Sequence, residues 1–161
     1  MKMTNEIFKA KIKPMFARAM YSSIATVNEN GNPHVSPIGS VFLIDKSKGY
    51  YLERFTKSIP HNLKGNNIAT IMSVNDGKWF WLKSLIKGGF SQPPAIRLVV
   101  KLGQLRKQTN NESESFIKRV SIFKLTKGYE LLWKDMSHVR EFEIIDYKPV
   151  FLAKMTRKQF N

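Results

Sequence analysis

The chain contains no cysteine among its 161 residues. Disulfide bonds, thiolate nucleophiles and cysteine-ligated metal sites are therefore excluded, while the cellular compartment stays open on this evidence alone. Histidine is also scarce, and His34, His61 and His138 lie far apart without any metal-binding spacing. We therefore expect no metal site, and no catalytic group stands out among these side chains.

Long hydrophobic runs are lacking as well. No segment approaches the length of a membrane span, and the first 20 residues mix charged with apolar side chains, unlike a signal peptide. These absences predict a cytoplasmic protein with no membrane partner. With 42% hydrophobic and 24% charged residues, the composition is that of a globular protein. The length suits one domain over residues 1–161.

Acidic residues are few, with 12 Asp and Glu against 27 Lys and Arg, so the formal net charge is +15. Such a surface attracts anions, including phosphorylated cofactors, nucleic acid and anionic membranes. The charge is spread along the chain, without the run of five or six like charges that marks a basic arm. A solvated cationic surface is the simplest interpretation, and we do not expect nucleic acid to be the main partner.

Strand-like segments alternate with turn signals along most of the chain. Residues 22–28 are rich in β-branched side chains, Asn30-Gly31 is typical of a tight hairpin, and a second strand covers residues 33–45. Further strands are predicted over residues 50–55, 68–74, 96–107 and 139–153. Without repeats or a βαβ rhythm, these predict an α+β fold, a small six-stranded antiparallel barrel with flanking helices.

Helical patterns surround these strands. A helix is predicted over about residues 4–19, with a kink at Pro14, and the barrel with its other helices over about residues 22–153. Asn110 or Asn111 can cap another helix, and residues 126–133 suit a short one with Leu131, Leu132 and Trp133 facing inward.

The segment Thr56-Lys57-Ser58 is a candidate anion site. Ser58 suits the N-cap of a short helix, with Pro60 in the first turn and Gly65 after the end. Two hydroxyls and a cation would then lie beside unpaired backbone N–H groups, where a phosphate could be held. A capped surface helix that binds nothing is the commoner outcome.

Three further features have both a structural and a functional interpretation. Pro37 and Gly39 should interrupt the second strand, giving either a barrel corner or a place where a flat ligand approaches the backbone. In residues 78–82, Trp79 and Trp81 alternate with Phe80 and Leu82, as in a strand; the tryptophans could stack on a ligand, join a dimer interface or enter the core. The loop 87–94 is either a lid or a plain connection.

Residues 24–74, IATVNENGNPHVSPIGSVFLIDKSKGYYLERFTKSIPHNLKGNNIATIMSV, resemble the pyridoxamine 5′-phosphate oxidase-like, FMN-binding split barrel family. The matching features are a strand before a glycine-centred hairpin, the motif Pro33–Ile38, a Thr/Ser-rich junction and the pair Asn62-Leu63 before the next strand. The resemblance is best over residues 20–107.

The resemblance implies a homodimer with flavin sites at the subunit interface. FMN is the implied cofactor, and relatives also bind a deazaflavin or haem. The ring contacts carried over are Ser36, Pro37, Ile38 and Ser40. The phosphate contacts carried over are Thr56, Lys57, Ser58 and Asn62. The implied function is that of a flavin-dependent oxidoreductase or flavin redox protein, with a small-molecule electron donor or acceptor and no assigned reaction.

Two departures from the family pattern bear on this function. Ile59 occupies a position where many relatives carry a basic residue, so Lys57 or His61 would supply the charge. Residues 142–161 lack the arginine and histidine signature with which true pyridoxamine phosphate oxidases hold their substrate, so that reaction is not expected. The alternatives are a non-catalytic barrel that binds nucleic acid or another polyanion, and a relative that keeps the dimer without a cofactor.

Overall fold

The computed structural model describes residues 3–156, and one antiparallel sheet curls into a half-barrel at its centre. Its strands are β1 (Ser22–Val27), β2 (Pro33–Ile38), β3 (Val41–Leu43), β4 (Lys48–Leu52), β5 (Ile68–Val74), β6 (Ala95–Lys107) and β7 (His138–Pro149). Their order in the sheet is β2-β1-β5-β6-β7-β4-β3. The predicted α+β class is confirmed. The count of six strands is wrong, because the predicted strand over residues 33–45 breaks into β2 and β3.

Helices flank the sheet at several places. They are α1 (Asn5–Ile7), α2 (Lys13–Arg18), α3 (Ser58–Asn62), α4 (Lys78–Lys87), α5 (Asn110–Val120), α6 (Lys127–Leu132) and α7 (Ala153–Thr156), with a π-helical segment at Phe8–Ile12 and a 3-10 turn at Ser121–Phe123. In the predicted N-terminal helix, the π-helical segment lies just before Pro14 and accommodates its missing N–H. Within residues 3–156, no helix is both long and apolar enough to cross a bilayer.

The curled sheet encloses the main hydrophobic core. Ile24, Ile71 and Leu98 are fully buried in it, and Phe8 and Phe16 of the N-terminal helical region pack against them. Burying a side chain of this size contributes roughly 1.5–3 kcal/mol, so this core supplies most of the driving force for folding.

A second cluster lies on the opposite face of β4. Because successive side chains of a strand point to opposite faces, Tyr51 enters the main core while Tyr50 packs outward against α5. Phe116 and Val120 of α5 are buried there against Val139. Helices α5 and α6 therefore cover the sheet beside β4 and β7.

Residues 78–82 form the start of α4 and not a strand. Gly77 precedes the helix and Gly88 ends it in the left-handed conformation, with φ of 63°. The ten residues between them are long enough for a helix, and this overrides the short alternating pattern. Trp81 consequently packs on Phe90, with ring centroids 5.2 Å apart, whereas Trp79 is 74% exposed.

Three smaller predictions in the C-terminal half also need correction. Thr109 caps α5, in a capping box with Glu112, in place of Asn110 or Asn111. The helix predicted over residues 126–133 forms as α6, but Leu131 and Leu132 are exposed and do not face inward. The last strand ends at Pro149, before the residue 153 at which it was predicted to end.

Candidate functional site

The interruption between β2 and β3 forms one wall of the candidate site. The Ser40 hydroxyl accepts a hydrogen bond from Leu52 N at 3.1 Å and donates one to Leu52 O at 3.2 Å. This pair replaces the strand ladder where it is interrupted. At Gly39, a Cβ atom would lie 3.4 Å from the carbonyl oxygen of Met20, so the chain passes close to its neighbour. The Ser40 hydroxyl thus has a structural role, although Ser40 also faces a cavity.

A cavity of about 130 Å³ lies beside this interruption. Its lining is mostly apolar and aromatic and consists of Pro37, Ile38, Gly39, Ser40, Leu52, Arg54, Phe55, Thr56, Leu132, Trp133 and Met136. Three of the four predicted ring contacts are among these residues. Ser36 is buried on β2 and is not among them. An apolar group is the kind of ligand that this lining suits.

A second, open cavity of about 440 Å³ has a polar lining. It consists of Asn28, Glu29, His34, Lys57, Ser58, His61 and Asn62. Three of the four predicted phosphate contacts are therefore brought together here, while Thr56 lines the apolar cavity. Residues 56–58 run from one cavity to the other. The Lys57 charge favours an anion here, and the Glu29 carboxylate opposes one.

Ser58 is not the N-cap that the sequence predicts. It is the first residue of α3, the N-cap is Lys57, and no side chain caps the helix. The Ser58 hydroxyl instead lies 2.7 Å from His34 Nε2, a contact between α3 and β2. His34 was not predicted as a site residue, because its partner is 24 positions away in sequence. The one sequence feature that could have indicated His34 is that it belongs to the Pro33–Ile38 motif.

Asn62 and Ile59 connect α3 to the body of the protein. Asn62 Nδ2 donates a hydrogen bond to Thr26 Oγ1 at 2.9 Å, and both groups are buried. Ile59 is 0% exposed and belongs to the main core. A basic side chain at position 59 would enter that core, so the cation beside this helix is Lys57, which is exposed.

Thr56 carries an unusual hydroxyl group. Its Oγ1 is buried and has no hydrogen-bond partner, a condition shared within residues 3–156 by Ser73 Oγ and Gln108 Oε1. Of these three atoms, only Thr56 Oγ1 belongs to a residue that lines either cavity. An unpaired buried hydroxyl costs about 1–3 kcal/mol. A ligand that supplied an acceptor would recover this energy.

A buried ion pair fixes the chain just before the site. The Glu53 carboxylate accepts hydrogen bonds at 2.7 Å from Arg140 Nε, from Arg140 Nη2 and from the Tyr51 hydroxyl. Arg140 Nη1 donates to Gly103 O at 2.9 Å. Hydrogen bonding to Glu53 raises the pKa of Arg140, and burial, with the adjacent Glu53 charge, raises the pKa of Tyr51. The pair links the end of β4 to β7, three residues before Thr56.

No family model matches the sequence, and no curated protein matches it. Solved structures do match. An FMN-binding protein from Syntrophomonas wolfei aligns with a TM-score of 0.64 at 17% identity, over 92% of this chain and 90% of that one. The chain has the split-barrel fold. The solved structures thus confirm the resemblance to the pyridoxamine 5′-phosphate oxidase-like split barrels at the level of the fold.

Other split barrels of this shape carry different names. A putative pyridoxamine 5′-phosphate oxidase from Lactobacillus delbrueckii aligns with a TM-score of 0.54 at 16% identity, over 86% of this chain and 91% of that one. The haem storage protein of Vibrio cholerae aligns with a TM-score of 0.53 at 13% identity, over 88% and 94%. Proteins with the split-barrel fold therefore bind more than one kind of ligand. The fold alone does not identify the ligand of this chain, and the residues of the site must be used for that purpose.

Proposed function

We propose that this protein is an FMN-binding redox protein whose flavin is held between two copies of the chain. The ring would lie against the wall formed by Pro37, Ile38 and Ser40, and the phosphate in the polar cavity at Lys57 and Ser58. The observation that carries the proposal is the unpaired Thr56 hydroxyl, because Thr56 lines the apolar cavity and directly precedes Lys57 and Ser58, which line the polar one.

The chemistry of the two cavities fits such a cofactor. FMN combines an apolar planar ring with a phosphate, and the site combines an apolar wall with a cationic cavity. Lys57 would neutralise part of the phosphate charge, and the Thr56 hydroxyl would donate a hydrogen bond to it. The Ser58 hydroxyl would do so with His34 Nε2 as the donor in the contact between these two side chains. His61 lies in the same cavity as a further donor, while His34 Nε2 is already paired with the Ser58 hydroxyl. Ser36 and Asn62 remain predicted contacts, although the Asn62 amide already donates to Thr26.

The size of the apolar cavity supports a shared site. At about 130 Å³ it is smaller than the roughly 300–1,000 Å³ of pockets that bury a whole small-molecule ligand. A second copy of the chain would supply the missing wall, as the family resemblance implies. The homodimer is therefore part of the proposal, and the cytoplasmic location expected from the sequence is proposed with it.

The reaction would use the flavin's own chemistry. FMN supplies hydride or electron transfer when bound, and the protein positions it and controls access of water. In this chain the apolar lining around Trp133 would shield the ring, while Lys57 anchors the phosphate end. The electron donor or acceptor is proposed only as a class, a small molecule that reaches the exposed side of the site.

Titration of the purified protein with FMN, followed by flavin fluorescence, tests the proposal. A charge-assisted hydrogen bond contributes roughly 1.5–3 kcal/mol, so Lys57→Ala should weaken binding roughly 10- to 100-fold. Lys64→Ala is the matched control, because this exposed lysine just beyond α3 lines neither cavity. Equal affinities for the two variants would contradict the assignment of Lys57.

Thr56→Val gives a second test, in which stability and binding move in opposite directions. Without ligand, removing an unpaired buried hydroxyl should stabilise the protein by about 1 kcal/mol. FMN binding should weaken in the same variant, because the phosphate loses a donor.

Parallel titrations with a deazaflavin and haem distinguish the cofactors. If none of the three binds while nucleic acid is retained in a salt-dependent way, the protein is a polyanion-binding barrel instead.

A further inference from the structure

The solvent-facing side of α4 is apolar, which is the reverse of the usual arrangement. Trp79, Leu82 and Ile86 are 74%, 47% and 77% exposed, and successive residues turn by about 100° around a helix. These three side chains therefore form one stripe, at positions i, i+3 and i+7. Phe80 and Ser84, on the opposite side, face the body of the protein. We call the three exposed residues the α4 stripe.

The helix is held firmly enough to present this stripe. Phe80 stacks on Phe90 at 5.5 Å, and the Trp81 indole N–H donates to Asn75 O at 2.6 Å. At the C-terminal end, Gly88 N donates to Leu85 O and Gly89 N to Ser84 O, which closes the last turn. The inner face of α4 is thus already used, and the stripe is a second apolar face that no other part of residues 3–156 covers.

Lysines flank the stripe on both sides. On a helical projection, Lys83 and Lys87 follow one edge of the stripe and Lys78 lies at the other edge, and all three are exposed. Leu85, which is 62% exposed, lies just beyond Lys78 and extends the apolar surface on that side. No acidic residue occurs between Lys78 and Lys87. An apolar stripe containing tryptophan, bordered by lysines whose long side chains can reach outward, is the pattern of a helix that lies in a membrane interface.

The positive charge of these lysines distinguishes between two possible partners of the stripe, a second copy of the chain and a lipid surface. A symmetric contact between two copies would bring the same lysines together on both sides of the interface, and this repulsion opposes it. An anionic lipid surface accepts the apolar side chains among its acyl chains and pairs the lysines with its headgroups. The geometry points to α4 as a docking helix for an anionic phospholipid membrane. The expectation of no membrane partner rested on the lack of a spanning segment, which surface docking does not require.

Sedimentation with lipid vesicles tests the inference on the full chain. The protein should bind vesicles of equal parts phosphatidylcholine and phosphatidylglycerol, and bind pure phosphatidylcholine far more weakly. Each lysine near an anionic surface contributes roughly fivefold in affinity. The double variant Lys83→Glu with Lys87→Glu should therefore lose roughly 25-fold or more. Trp79→Ser with Ile86→Ser should lose about tenfold or more, because the apolar contact disappears.

Matched controls separate this helix from the general cationic surface. Lys124→Glu with Lys127→Glu changes the net charge equally, and Leu125→Ser with Ile122→Ser removes two apolar side chains that are 102% and 83% exposed. Both controls should bind vesicles nearly as the unaltered protein does. Equal losses in the control and α4 variants would overturn the inference. Self-association without lipid that Ile86→Ser abolishes would also overturn it, since the stripe would then contact a second copy.

Discussion

Replacing Glu53 with glutamine should leave the Arg140 guanidinium buried without a counter-ion. The side chains of Glu53 and Arg140 are only 4% and 9% exposed, and three hydrogen bonds of 2.7 Å converge on the carboxylate. Water cannot readily solvate the cation that remains. Removing one partner of such a buried pair typically costs about 3–5 kcal/mol, and the glutamine amide retains one acceptor, so we expect about 3 kcal/mol.

The corresponding change in melting temperature is large. For a chain of this length, each kcal/mol lowers the melting temperature by roughly 2–4 °C, so Glu53→Gln should lower it by roughly 6–12 °C. Urea unfolding followed by circular dichroism gives the free energy directly. Glu130→Gln is the control, since Glu130 forms an exposed ion pair of 3.8 Å with Lys134, and it should change stability by less than about 0.5 kcal/mol.

A double variant tests whether the loss of stability comes from an unpaired buried charge. Glu53→Leu with Arg140→Met removes both charges, so it should be much less destabilised than the sum of its single variants. A cost below about 1 kcal/mol for Glu53→Gln would refute the account, because the pair would then behave like a solvated surface pair. An additive double variant would refute it as well. In either case the pair could not fix the chain that leads into the site.

Two further predictions concern acid stability and packing. Hydrogen bonding from Arg106 lowers the pKa of Glu112 from 4.5 to about 2, so its contribution is complete above pH 4.5 and is lost as the pH falls towards about 2. Glu112→Gln should therefore be less stable than the unaltered protein at neutral pH, and a gap in unfolding free energy that persists unchanged below pH 2 would contradict this. At Gly49, a Cβ atom would lie 2.5 Å from both Phe142 Cζ and the backbone oxygen of Phe42. Gly49→Ala should destabilise the protein by roughly 1–3 kcal/mol or more, whereas Gly65→Ala, with open space around its Cβ position, should show almost no change in thermal unfolding.

Local chemistry was enough to predict much of the sheet. The hairpin predicted at Asn30-Gly31 forms, with Gly31 at φ of 79°, but its loop has the five residues 28–32 between the paired Val27 and Pro33 and is not a tight two-residue turn. The interruption near Pro37 and Gly39 is also present, and it divides the second strand. These features depend on residues close together in sequence, where backbone preference decides the conformation.

The failures show where local patterns are ambiguous. Residues 78–82 alternate like a strand, but five residues cannot separate a strand from one turn and a half of a helix, and the glycines at 77 and 88 decide. The cap of α5 was recoverable, because Thr109 and Glu112 have the spacing of a capping box.

The candidate site was predictable in part. Pro37, Ile38, Ser40 and Thr56 line one cavity and Lys57, Ser58 and Asn62 the other, but whether any of the predicted residues contacts a cofactor remains a prediction. The contact between Ser58 and His34 joins segments 24 positions apart, and the burial of Ile59 depends on the packed core. Both are tertiary effects without a local sequence signal.

The absorbance spectrum of the freshly purified protein, recorded together with its mass in solution, shows whether two copies of the chain hold FMN. We expect the flavin absorbance bands, one FMN for each chain and a particle with the mass of two chains. The opposite result would be a colourless monomer. If adding FMN, a deazaflavin or haem to it also left the absorbance spectrum of each cofactor unchanged, the proposal of a cofactor held by two chains would be contradicted.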